Sequence, residues 1–321
     1  MNAAGLTRLK PLARWVVVGV AIAFLLHTLV RHWADISALR IGTQGWSLLV
    51  VALGVTLLAH TWAGWVWSWA LQALQQPITG SWSAPVYLQT NLLKYLPGNV
   101  WHFFGRVRAL RNIGIDNGSA IIGTALEPLL MAAAALVVGI ATPTQYWPLQ
   151  LLGLGIVLAT LSPRWLNPLV NRLSRSKTAH QPIEDSSPSP PPSPSSSSLS
   201  LSVAPGLHHY PLKLLLGQLG YIGLRGLGFC LVLSAVTPLA ASDWPSTISA
   251  FSLAWLGGLV VPGAPGGLGV FEAIALSLLQ GQFSAAVVLS AVVLYRVVST
   301  LAEALGAALA TFDQGLSSTL K

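Results

Sequence analysis

The run Val261-Pro262-Gly263-Ala264-Pro265-Gly266-Gly267-Leu268-Gly269-Val270-Phe271-Glu272 lies inside a stretch apolar enough to sit in a lipid bilayer. Its two prolines and four glycines break the helix that bilayers normally demand. Bilayer interiors tolerate non-helical backbone only where protein or a water-filled cavity covers it. In transporters such breaks mark substrate sites. A second break, Tyr95-Leu96-Pro97-Gly98-Asn99-Val100-Trp101-His102, comes earlier in the chain, with Lys94 and Arg106 at its edges. Together the two breaks point to a membrane protein that handles an anionic ligand.

Composition agrees with the membrane setting. Only 8% of the residues are charged and 53% are hydrophobic, against about 25% charged in a soluble domain. The net charge of +8 comes from basic residues near the ends of apolar segments, as membrane topology requires. A nucleic-acid partner is therefore not expected. The single cysteine, Cys230, excludes an intramolecular disulfide and a cysteine zinc site. Arg8, Lys10 and Arg14 precede the apolar run 15–30, which resembles a signal peptide. No small-residue cleavage site follows, only Arg31-His32-Trp33, so the run reads as an uncleaved first span.

The expected fold is all-α: a polytopic transmembrane helical bundle with about six full spans and two re-entrant or broken helices. The spans fall near 15–33, 46–74, 119–142, 146–163, 209–238 and 283–311, each about the 20 residues needed to cross the hydrocarbon core. The interrupted segments are 84–104 and 247–281. Arg8, Lys10 and Arg14 place the N-terminus in the cytoplasm, and Arg164, Arg172, Arg175 and Lys177 place the loop after 146–163 there too. Arg106, Arg108 and Arg111 join that side only if 84–104 enters and leaves on one face. Residues 173–206, rich in serine and proline, read as a disordered cytoplasmic linker. It separates a first membrane portion, 1–172, from a second, 207–321. Each portion holds one broken segment, which hints at an inverted repeat.

Chemistry-bearing residues gather at the breaks. Gly266, Gly267 and Gly269 let backbone approach a ligand closely. Residues 268–280 read as a helix starting inside the bilayer, whose first amides attract an anion. Glu272, one turn on, could cap those amides, pair with a cation or take up a proton. At the first break Lys94, Asn99, His102 and Arg106 combine positive charge with hydrogen-bond donors, and Trp101, Phe103 and Phe104 add apolar surface, a mixture suited to a lipid headgroup and its chains. Ionisable residues within spans are expensive and usually functional. Arg296, Ser299, Thr300 and Glu303 share one helical face. Gln218, Tyr221 and Arg225 form another, and Glu127 is a lone acid beside Pro128. Arg296 and Glu303 are too far apart on one helix to pair, so each is expected to reach another helix. The expected network joins Glu127 or Glu272 to Arg225 or Arg296. Trp62, Trp65 and Trp69 share a face that reads as an interfacial belt or an aromatic wall for acyl chains. Metalloprotease, paired-cysteine, Walker and nucleophile-elbow motifs are absent from the sequence, so neither catalysis nor a cofactor is expected.

At these residues the chain resembles the transmembrane domain of the lysylphosphatidylglycerol synthases, which includes the flippase half of the multiple peptide resistance factor. The resemblance rests on Leu96-Pro97-Gly98-Asn99 followed by Arg106, on Pro265-Gly266-Gly267-Leu268-Gly269-Val270-Phe271-Glu272, and on Tyr295-Arg296. It spans roughly residues 10–312. It implies a multi-pass protein of the bacterial inner membrane that moves phospholipid or a lipid-linked substrate between leaflets. The soluble synthase domain has no counterpart in these residues, so synthase activity is not expected. The implied partner is a membrane lipid with an anionic or zwitterionic headgroup, and a separate lipid-modifying enzyme is a further possible partner. Two alternatives stand beside translocation: a noncatalytic membrane partner of a lipid-modifying enzyme or glycosyltransferase, and a membrane enzyme using Glu272 or His102 as acid or base.

Overall fold

A computed structural model describes residues 41–96, 100–140, 147–165, 167–168, 210–261 and 269–319. The expected span at 15–33 and the linker at 173–206 lie outside these residues, as do Asn99, Gly266 and Gly267. Among the described residues the fold is all-helical: α1 (Thr43–Ala73), α2 (Gly80–Asn91), α3 (Trp101–Asn112), α4 (Asn117–Ile140), α5 (Trp147–Thr160), α6 (Leu212–Val236), α7 (Trp244–Val260), α8 (Val270–Leu279) and α9 (Ala285–Thr319). Four helices, α1, α4, α6 and α9, are long and apolar enough to cross a membrane, and they match four of the six expected spans. The expected span at 146–163 is reduced to α5. Its 14 residues extend ~21 Å at 1.5 Å each, short of a hydrocarbon core about 30 Å thick. The architecture is that of a multi-pass helical membrane protein.

Both interrupted segments are broken helices, and the breaks follow from proline. Beyond α2 the chain tightens into a 3₁₀ turn, Leu92–Tyr95. Leu96 is then extended, at φ −70° and ψ 145°, as the clash with a following Pro97 demands. Val261, which precedes Pro262, is extended in the same way at φ −77° and ψ 111° and ends α7. Helix α8 starts after Gly269, whose φ of +85° is a conformation that side chains other than glycine rarely adopt.

Each broken segment folds back on itself. Gln76, just past α1, donates from Nε2 to Ser119 Oγ near the start of α4 at 3.5 Å. The α2–α3 segment between them therefore enters and leaves on one face of the bundle. Its limbs touch through Arg106 Nε and Thr90 Oγ1, 3.4 Å apart. The far end of α4 lies on the opposite face, where the Ser249 hydroxyl donates to the Gly139 carbonyl at 2.8 Å. There Ser246, near the start of α7, donates to Gln282 Oε1, between α8 and α9, at 3.2 Å. The α7–α8 segment thus starts and ends on that opposite face of the bundle.

Helices α1 and α6 run antiparallel: Trp62 Nε1 donates to the Gly217 carbonyl at 2.8 Å, and a Cβ on Gly45 would lie 3.0 Å from the Ala235 carbonyl oxygen. The order helix, hairpin, helix therefore occurs twice with opposite direction, as the inverted-repeat pattern anticipates. Small residues permit close approach. A Cβ on Gly64 would fall 2.7 Å from Ala84 Cα, and the Gly64 carbonyl accepts from the Ser83 hydroxyl at 2.8 Å. Phe229, Phe251, Phe271 and Tyr295 form an aromatic cluster, with ring centroids 5.3–6.3 Å apart, that fixes the second hairpin against α6 and α9.

Candidate functional site

The limbs of the two hairpins border a cavity of about 580 Å³. The first contributes Lys94, Tyr95, Val100 and His102; the second contributes Gly258 to Val261 and Phe271; the walls include Glu127, Arg225, Tyr295 and Arg296. Glu127 sits near the middle of α4 and Arg225 near the middle of α6. The cavity is thus at the depth where hydrocarbon would surround the bundle, and polar side chains here need partners.

The cavity is lined by four basic side chains, Lys94, Arg106, Arg225 and Arg296. Three have a carboxylate. Arg106 Nη1 pairs with Glu127 Oε2, and Glu127 Oε1 accepts from the Tyr87 hydroxyl at 2.6 Å. Lys94 Nζ lies 2.6 Å from Glu303 Oε1. Arg296 Nε lies 2.7 Å from Glu272 Oε1. Arg225 is different. It is 6% exposed, and no carboxylate among the described residues pairs with it. Its Nε donates to the Tyr295 hydroxyl at 2.7 Å, its Nη1 reaches the Tyr221 hydroxyl at 3.4 Å and lies 3.3 Å from His60 Nε2. A guanidinium withdrawn from water with no carboxylate directly paired to it carries a desolvation penalty on the order of several kcal/mol. An anion in the cavity would offset it.

The observed pairs refine the expected network. Glu272 takes Arg296, one of the anticipated pairs, and Glu303 and Arg296 each reach a different element as foreseen. Glu127, however, takes Arg106 rather than Arg225 or Arg296, because α3 folds back against α4 and delivers the guanidinium to it. The anion place at the start of α8 is also altered. Glu272 Oε2 accepts from the Gly269 amide at 2.7 Å, so of the roles expected for Glu272 it takes two, capping the start of α8 and pairing with a cation, and the protein's own carboxylate fills the anion place there. Gly269 supplies the turn that makes this possible. His102 lines the cavity with its ring against Phe103, centroids 3.8 Å apart.

His60 escaped the reading of the sequence. It lies mid-helix in α1, 1% exposed, with Nε2 3.2 Å from Glu303 Oε1 as well as near Arg225. Its signal was a lone imidazole inside a 31-residue apolar helix, to which the rule for intramembrane ionisable residues applies. Of the tryptophans, Trp62 and Trp69 pack edge to face at 5.5 Å and border a shallow depression beside Leu212 and Lys213, whereas Trp65 is exposed.

Neither a comparison with protein-family models nor one with curated proteins returns a match for this chain.

Proposed function

We propose that this protein binds a lipid or lipid-linked substrate by an anionic or zwitterionic headgroup and moves it between leaflets. The observation that carries the reading is the buried Arg225, without a carboxylate partner among the described residues, in the wall of a cavity between two oppositely inserted hairpins. Oppositely directed hairpins bordering a site at mid-helix depth support alternating access, in which one repeat rocks against the other about the site. The apolar lining contributed by Phe103, Leu129, Trp255 and Phe271 suits the start of acyl chains. Resemblance to the membrane half of the lysylphosphatidylglycerol synthases supports the same reading, since its motif residues Arg106, Phe271, Tyr295 and Arg296 border this cavity.

The test is transport in vesicles. Purified protein is reconstituted with fluorescently labelled phosphatidylglycerol or phosphatidylcholine, and the outer-leaflet label is bleached chemically. Accessible label should rise above one half in protein-containing vesicles, and Arg225→Gln should remove most of the gain. Labelled lipid that stays in its leaflet for every headgroup tried would overturn the proposal.

A further inference from the structure

Beside the cavity lies a group with two incompatible partners. His60 Nε2 is 3.3 Å from Arg225 Nη1 and 3.2 Å from Glu303 Oε1. A ring nitrogen carries either a proton or a lone pair. Toward the guanidinium it must accept; toward the carboxylate it must donate. It cannot do both, and Nδ1 has no hydrogen-bond partner among the described residues. The imidazole is therefore poised between two states, one serving Arg225 and one serving Glu303.

We infer that anion binding at Arg225 is coupled to proton uptake at His60, so that the cavity loads an anion and a proton together. The inference rests on the reading of the cavity as an anion site. With the cavity empty, the neutral imidazole faces the guanidinium with its lone pair. An anion on Arg225 compensates that charge. His60 then takes a proton on Nε2 and donates it to Glu303 Oε1, forming an imidazolium–carboxylate pair. A path from the cavity exists: Tyr95 and Thr300 line it, and the Tyr95 hydroxyl lies 3.0 Å from Thr300 Oγ1 and 2.9 Å from Glu303 Oε2. A proton entering from bulk solvent through the cavity is relayed along these hydroxyls, each O–H bond broken being replaced by one formed, to Glu303 Oε2; rotation of the carboxyl presents it to the ring, where its O–H bond breaks as the Nε2–H bond forms.

The groups facing His60 are Arg225 and Tyr221 of α6, Glu303 of α9 and, through Glu303, Lys94 of the 3₁₀ turn. Helices α2 and α4 also pack near α1; their titratable groups, Tyr87 and Glu127, bond to one another. Lys94 remains paired with Glu303 throughout, so the added proton brings a second cation to that carboxylate. Linkage is reciprocal: if the anion favours the proton, lower pH must tighten the anion.

Calorimetry of the full-length protein in detergent tests this. Two probes are used, sodium sulfate and dihexanoyl phosphatidylglycerol, each titrated in two buffers of different ionisation heat. Neither probe exchanges protons near neutral pH, so any linked proton belongs to the protein. The expected result is uptake of up to about one proton per bound anion between about pH 5 and 8, with affinity rising by at most about tenfold per pH unit lowered. Binding of the lipid but not sulfate would identify a headgroup site; equal binding of both would identify a general anion site, and the proton count decides in either case. Binding without proton uptake overturns the inference and leaves the anion site standing. Failure of both probes to bind overturns both. His60→Gln should abolish the linked proton. Infrared difference spectra of the wild-type protein on adding sulfate give a second readout, an imidazolium band, which decides the matter even if that variant does not fold.

Discussion

Arg106 and Glu127 are 2% and 3% exposed, so removing Glu127 leaves the Arg106 guanidinium buried without its carboxylate partner. Glu127→Ala should therefore destabilise the protein by about 3–5 kcal/mol, read as a fall in thermal unfolding temperature in detergent. The double variant Arg106→Met/Glu127→Leu should recover a large part of that loss, because it removes both charges and keeps the volume. A double variant as unstable as the single one would place the instability in packing rather than charge. Glycines offer a second contrast. Gly269→Ala forces a side chain into φ +85° and should cost about 1–3 kcal/mol. Gly54→Ala, where an added Cβ meets nothing within 4 Å in the middle of α1, should be neutral or stabilising by up to about 1 kcal/mol. Equal effects in the same unfolding assay would contradict the turn assigned to Gly269.

The hairpins make a topological prediction. Thr79 and Asp116 lie at the ends of the first hairpin and Ser242 and Ser284 at the ends of the second, all exposed. Single cysteines at these positions, with Cys230 replaced, should react with a membrane-impermeant maleimide in pairs: 79 and 116 from one side, 242 and 284 from the other. Labelling of 79 and 116 from opposite sides would mean that 84–104 crosses the membrane. Both hairpins were legible because proline forbids the preceding residue a helical ψ and an arginine cluster at 106–111 fits one face. Their pairing with neighbours was harder to read. Helical periodicity places Glu127 and Arg225 on polar faces but says nothing about which face opposes which, so the partner of Glu127 emerged only once α3 was seen to turn back onto α4. Helix α5 was overestimated for a related reason: apolar composition alone does not distinguish a short helix from a full crossing.

For the molecule as a whole, opposed hairpins and the charges between them belong to one design. Each hairpin's returning limb is joined to the next long helix by an ion pair, Arg106 with Glu127 and Glu272 with Arg296, and the polarity is reversed between the two. Residues of the four long helices and of both hairpins' limbs surround the site, and Arg225 remains the cavity cation without a paired carboxylate among the described residues. Its burial and the absence of a directly paired carboxylate among the described residues both depend on the contacts between the two halves, so no local motif could have announced it. Lipid mass spectrometry of the purified protein, wild type against Arg225→Gln, tests the anion site most directly. The wild type should retain one class of anionic or zwitterionic lipid through detergent exchange, and the variant should lose that class selectively while keeping its folded elution profile. Identical bound lipids in the two proteins would contradict the assignment of Arg225 as the residue that holds the headgroup.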